Sequence, residues 1–239
     1  MGNAMNVPDW AHNAFQTFGV VDHFTHYVSA DEWTTVASDA GAAVDGDGKG
    51  GLVTITASDG TEGDNDETYL KQTQENFLFV ADKPIYFGGR IQYTEANTDD
   101  ANIAVGLKDA VAANSILDDG GGPAASYSGA VIFKADGDTT WSFETSVGGT
   151  QTTNQSSTTA GGSAFQNLEI FIEAHNATQL KAIPKVDGKE LLDSTTGAPI
   201  LHYITIGSAT EMQAFFGVKN GDTNLETLVV DTAIALQKV

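Results

Sequence analysis

The strongest constraint on how this chain can fold is a period of two in its apolar residues. From Leu168 to Ala174, one side carries Leu168, Ile170, Ile172 and Ala174 and the other Glu169, Phe171 and Glu173. Ile85, Phe87, Gly89, Ile91 and Tyr93 alternate with Tyr86, Gly88, Arg90 and Gln92. Near the C-terminus, Leu228, Val230, Thr232, Ile234 and Leu236 alternate with Val229, Asp231, Ala233 and Ala235. Shorter runs follow the same rule at Ile103, Val105, Leu107, at Tyr127, Gly129, Val131, Phe133, and at Trp141, Phe143. Successive side chains of a strand point to opposite faces, so such alternation marks strands with one face on a core.

Clusters of Gly, Asp, Asn, Ser and Thr at 45–51, 58–67, 118–122, 136–138 and 148–162 separate these runs. Val186-Asp187-Gly188-Lys189 carries the Asp-Gly pair that suits the positive φ angles of a type I′ hairpin, and Asn220-Gly221 repeats that chemistry. The expectation is an all-β chain, a two-sheet antiparallel jelly-roll sandwich with roughly a dozen short strands. A length of 239 residues suits one such domain. Two short helices are expected, one at 109–117, Ala-rich and stopped by Gly120–Gly122, and one at 9–18, where Trp10, Ala14 and Phe18 recur at near-helical spacing.

Residues 1–21 lack strand alternation and read as an N-terminal arm before a sandwich at 22–239. Trp10, Phe15 and Phe18 lie in that arm with no strand to place them. Burying each is worth roughly 1.5–3 kcal/mol, so the three are expected to bind a partner chain.

Composition removes several function classes. Eleven Lys and Arg against 32 Asp and Glu leave a formal net charge of −21, and Arg90 is the sole arginine. Neutralising a phosphate backbone takes clustered cations, so no nucleic-acid partner is expected, and anionic membrane surfaces are disfavoured in the same way. No run approaches the ~18 apolar residues of a membrane span, and residues 1–7 have neither the basic nor the apolar region of a signal peptide. Cysteine is absent, which excludes disulfides, thiolate zinc sites and cysteine nucleophiles.

Glu62-Gly63-Asp64-Asn65-Asp66-Glu67 matches E-x-D-x-x-E and so resembles the active-site signature of laminarinase-type glycoside hydrolases. That chemistry needs two carboxylates held ~5–5.5 Å apart. Here Ser58-Asp59-Gly60-Thr61 precedes the acids and polar residues separate them, so the stretch reads as a loop and no catalytic residue is assigned. Asp45-Gly46-Asp47-Gly48-Lys49-Gly50 resembles the start of an EF-hand, but Lys49 stands at an oxygen-ligand position and Thr56 at the twelfth. No cofactor is expected. Calcium is the one ion that the loop acids Asp64, Asp66, Asp118, Asp119 and Asp222 could serve. His23 and His26 lie three apart in a stretch read as a strand, which turns them to opposite faces. Neither a G-x-S-x-G elbow nor a phosphate or dinucleotide loop is present. Trp33, Trp141, Tyr127 and Tyr203 are either core residues or a sugar-stacking platform.

Asp22-His23-Phe24, the Val186-Asp187-Gly188-Lys189 hairpin and the strand opening Glu226-Thr227-Leu228-Val229-Val230-Asp231 are together similar to concanavalin-like, LamG-type jelly rolls. Glu95-Ala96-Asn97-Thr98-Asp99-Asp100-Ala101-Asn102, Gly122-Pro123-Ala124-Ala125-Ser126-Tyr127-Ser128-Gly129 and Gly217-Val218-Lys219-Asn220-Gly221 resemble structural proteins of tailed bacteriophages. The resemblance implies a capsid decoration protein on the virion exterior, bound to the major capsid protein or to sister subunits, as in a homo-trimer. It carries no catalytic residues. Two other readings stand beside it: a carbohydrate-binding jelly-roll module, and a hydrolase acting through Glu62, Asp64 and Glu67.

Overall fold

A computed structural model describes residues 5–13, 16–46, 48, 50–207 and 210–239. Ala14, Phe15, Asp47 and Lys49 lie outside the described residues, so the expectations placed on them have no structural counterpart here. In chain order the strands are β1 (Thr17–Asp22), β2 (Trp33–Ala37), β3 (Ala42–Gly46) and β4 (Leu52–Thr56). Next come β5 (Glu67–Gln72), β6 (Ile85–Thr94), β7 (Asn102–Lys108) and β8 (Gly129–Lys134). They are followed by β9 (Thr140–Val147), β10 (Thr150–Thr159), β11 (Gln166–Asn176) and β12 (Gln179–Val186). The last four are β13 (Lys189–Glu190), β14 (His202–Thr205), β15 (Gln213–Lys219) and β16 (Thr227–Lys238).

These strands form two antiparallel sheets packed as a sandwich. The first runs β13-β12-β11-β6-β16-β4-β3, with β1 beside β16 and β14 beside β12. The second runs β10-β9-β8-β7-β15-β5-β2. The alternating runs supply the core between them: Ile103, Val105, Leu107, Trp141 and Phe143 from one sheet meet Phe87, Ile91, Leu168, Ile170 and Val230 from the other. The β12–β13 hairpin has φ of 52° at Asp187 and 76° at Gly188, as its Asp-Gly pair requires. Asn220-Gly221 does not form a hairpin. β15 and β16 belong to different sheets, and 220–226 crosses between them.

One residue breaks the C-terminal alternation. Val230 pairs with Ile91 and Thr232 with Arg90, so Asp231 is an extra residue, a β-bulge. Beyond it the faces exchange. Ala233 and Ala235 enter the central core, whereas Ile234 and Leu236 turn outward. The expectation that Leu228, Val230, Ile234 and Leu236 share a face therefore fails at Asp231, because a period of two survives only while the ladder adds residues one for one. Asp231 itself pairs with Arg90 at 2.9 Å.

The N-terminal segment covers the side chains that the bulge exposes. Met5, Val7, Trp10 and Ala11 pack with Phe171 on Tyr86, Ile234 and Leu236, while the Asn6 N–H donates to buried Glu169 at 2.8 Å. A Cβ at Gly88 would come within 3.0 Å of the Met5 sulfur, so glycine permits the close approach. In place of the 9–18 helix there is a 3₁₀ turn at Asp9–His12, and pairing to β16 starts at Thr17, inside the stretch read as arm. Asp22, where the sandwich was expected to begin, is instead the last residue of this strand, and Phe24 has φ of 49°. Phe18, 39% exposed, stacks on Phe77 at 6.2 Å.

The outer face of the second sheet is covered as well. Val111, Ile116 and Tyr127, from the connection between β7 and β8, pack on Tyr69, Ala104, Val131, Phe133 and Phe215. The expected helix at 109–117 is absent from the described residues. Its backbone is recruited elsewhere: Ile116 N–H donates to the Tyr69 hydroxyl at 2.9 Å, Asn114 N–H to Glu67, and Asn114 has φ of 58°.

Removing the indole at position 10 uncovers part of the patch around Ile234 and Leu236. Trp10→Ala is expected to lower stability by about 1–2 kcal/mol, read as a lower urea midpoint at constant protein concentration. An unchanged midpoint would mean that Trp10 does not hold the segment on its own sandwich.

Candidate functional site

Aromatic exposure distinguishes the candidate sites. Of the four residues weighed as a sugar platform, Trp33, Trp141 and Tyr127 are buried, and Tyr203 is 52% exposed. Strand β14 places Tyr203 next to Ile204 and Thr205, opposite the β9–β10 hairpin. Between them opens a cleft of about 330 Å³ lined by Thr145, Thr150, Thr152, Thr205, Tyr203 and Ile206, among others. That volume lies at the lower end of the about 300–1,000 Å³ typical of small-molecule sites. Tyr203 also packs on His175, with ring centroids 4.6 Å apart.

Behind the cleft runs a directed hydrogen-bond relay. Asp193 accepts from the Asn154 amide at 2.7 Å, which leaves the Asn154 carbonyl to accept from His202 Nε2 at 3.0 Å. His202 Nδ1 therefore accepts from the Thr145 hydroxyl, also at 3.0 Å. Burial pushes the His202 imidazole down to about 4, and its ring lies 4.8 Å from Phe143. The Thr196 backbone N–H, the Asn154 amide and the Thr196 hydroxyl hold Asp193 down to about 2. A base this weak is a poor match for proton abstraction near neutral pH. The relay instead fixes the direction of Thr145: its proton is committed to His202, so towards the cleft it offers only an acceptor.

The acids of the E-x-D-x-x-E stretch do not converge. Glu67 is the first residue of β5, not part of a loop, and is fully buried under the β7–β8 connection. It accepts from the Tyr69 hydroxyl and the Asn114 N–H and pairs with Lys219 at 3.5 Å. Glu62 and Asp64 stay in the preceding loop, with Asp64 exposed. Beside Glu67, burial and the carboxylate push the Tyr69 phenol well above its ordinary range. Lys108, bonded to the Ser115 carbonyl at 3.1 Å, is pushed by burial down to about 8.

The loop acids weighed for calcium are likewise dispersed. Asp66 accepts from Gly63 N–H at 2.5 Å, Asp118 pairs with Lys219, and Asp222 accepts from Asn97 at 3.1 Å. Among the described residues, no group of three His, Asp or Glu is arranged to hold a metal ion. His23 bonds Thr232 at 3.2 Å. Nor is any helix among these residues long and apolar enough to cross a membrane.

No family model matches the chain and no curated protein matches it in sequence. Solved structures do match in fold. The carbohydrate recognition domain of Emp47p superposes with a TM-score of 0.58 at 12% identity, covering 95% of this chain and 98% of that one. The lectin UEA-II, complexed with galactose, gives 0.56 at 8% identity over 92% and 98%. An endo-β-1,4-glucuronan lyase from Trichoderma reesei gives 0.53 at 11% identity over 88% and 93%. The sandwich thus shares the concanavalin-like jelly-roll fold of these structures.

The folded value of about 4 for His202 lies below the ~6.5 of a free imidazole, so between the two the unfolded chain binds more protons. The contribution of this group to stability is therefore lost as pH falls through that window. In an NMR titration, His202 is expected to stay neutral to about pH 5; a midpoint at 6 or above would contradict the relay.

Proposed function

We propose that the chain is a carbohydrate-binding module that holds a neutral sugar unit in the cleft between the β9–β10 hairpin and β14. The observation that carries this reading is the cleft itself: threonines on both walls, apolar Ile206 beside them and Tyr203 exposed at the rim. Sugars present hydroxyls and apolar C–H faces together, and a cleft with convergent polar groups on an apolar lining is suited to both. Support also comes from the fold, shared with the Emp47p carbohydrate recognition domain and with UEA-II, whose structure holds galactose.

Electrostatics narrow the ligand class. A net charge of −21 opposes anionic polysaccharides, which favours neutral chains. Thr145 adds a direction, since its committed proton asks for a hydroxyl donor from the ligand. The virion role expected from the sequence rested on the resemblance to phage structural proteins, and the apolar arm residues offered it a contact surface. Trp10 and Phe18 now have partners in their own sandwich, at Tyr86, Ile234 and Leu236 and at Phe77 respectively, so a second chain is no longer needed to explain them.

A neutral-glycan panel followed by calorimetry tests the proposal. Thr152→Trp, an exposed edge-strand change, should block the cleft and abolish binding with an unchanged melting temperature. Tyr203→Ala should weaken binding about tenfold, or about 1.4 kcal/mol. Glycan binding that survives Thr152→Trp would place the site elsewhere, and no binding by the wild type would reject the reading.

A further inference from the structure

Two fully buried lysines stand at strand ends and reach into the loops. The Lys219 ammonium, with no side-chain exposure, meets Glu67 Oε2 at 3.5 Å, Asn114 Oδ1 at 3.3 Å, the Ile116 carbonyl at 3.1 Å and Asp118 Oδ1. Lys134 repeats the arrangement with Glu95 Oε1 at 2.7 Å and the carbonyls of Asp99 and Ala101 at 2.9 Å each. Carboxylates, an amide oxygen and backbone carbonyls are the oxygen set that a hard cation such as calcium gathers. Here each set closes around a protein ammonium. A buried charge is tolerated only when its partners surround it, and Lys219 has four, one from the start of β5 and three from the β7–β8 connection.

We propose that Lys219 is a built-in cation: its ammonium does the loop-ordering that a bound calcium ion would otherwise do, and its removal converts the Glu67–Asn114–Ile116–Asp118 cradle into a calcium site. The consequence for function is that the cover over the second sheet holds without added metal. The proposal is independent of the sugar cleft, which lies at β14.

The reasoning also predicts which replacement opens the site. Lys219→Ala removes both charge and stem, leaving a cavity with two carboxylates facing it. Lys219→Met removes the charge but keeps the stem in place, so the cavity stays filled. Terbium serves as the spectroscopic probe, because the Tyr69 hydroxyl bonds the same Glu67 carboxylate and can sensitise its emission.

The experiment uses the full chain, with melting temperatures measured in chelator and in millimolar calcium. The wild type should melt at the same temperature in both, and Lys219→Ala should melt lower in chelator and recover at least half of that loss in calcium. Lys219→Met should be destabilised without recovery. Tyrosine-sensitised terbium emission should rise in Lys219→Ala above the wild type and above Lys219→Met. If Lys219→Ala folds only when calcium is present, the proposal stands. It is overturned if calcium stabilises the wild type, if Lys219→Ala behaves identically in calcium and chelator, folded or not, or if its terbium emission equals that of the wild type.

Discussion

The extra residue at Asp231 governs how the first sheet is built. β16 is an interior strand of it, bonded along its length to β6 on one side and to β4 and then β1 on the other. Without a bulge, Ile234 and Leu236 would compete with Leu228 and Val230 for the space between the sheets. The bulge instead sends the two small residues Ala233 and Ala235 inward, where the core meets β1 and Val20, and leaves two large ones outside. Two large apolar side chains on an outer face need a cover, and residues 5–11 supply it. The bulged residue is itself anchored by the chain's only arginine, whose guanidinium also lies 4.1 Å from the Phe165 ring.

Both outer faces of the sandwich are thus partly roofed by chain from the protein itself, one by the N-terminal segment and the other by the β7–β8 connection. The second roof encloses charge. Glu67, Lys108 and Lys219 are buried beneath it, and each would destabilise the fold by several kcal/mol if left unpaired. Their pairing is what makes that roof specific: Tyr69, Asn114, Ser115, Ile116 and Asp118 each satisfy one of these groups. Away from these roofs, β14 faces the β9–β10 hairpin and the threonine-lined cleft forms between them.

Much of this was legible in the residues, and the failures are instructive. Strands β6, β7, β8, β9, β11 and β16 fall where alternation placed them, and Asp187-Gly188 forms its hairpin, because periodicity and turn chemistry act over a few neighbouring residues. The 109–117 segment has helical composition but no helix, since Tyr69 and Glu67, each 47 residues from the group it binds, capture its N–H groups. Of four candidate platform aromatics the residues could not say which one is exposed. Trp33 and Trp141 look like Tyr203 in sequence, yet only the packing of the sheets separates core from rim.

The sequence by itself determined the all-β class, the sandwich, the acidic surface and the exclusion of thiol chemistry, because each follows from local alternation or from counting residues. Tertiary structure alone decided that Ile234 and Leu236 turn outward, that Glu67 is locked against Lys219, and that His202, Asn154 and Asp193 line up behind Thr145. The physical reason is separation along the chain. The relay joins residues up to 57 positions apart, and the Lys219 pair spans 152. No local preference encodes such a meeting; only the closing of two sheets on one core brings those groups within bonding distance.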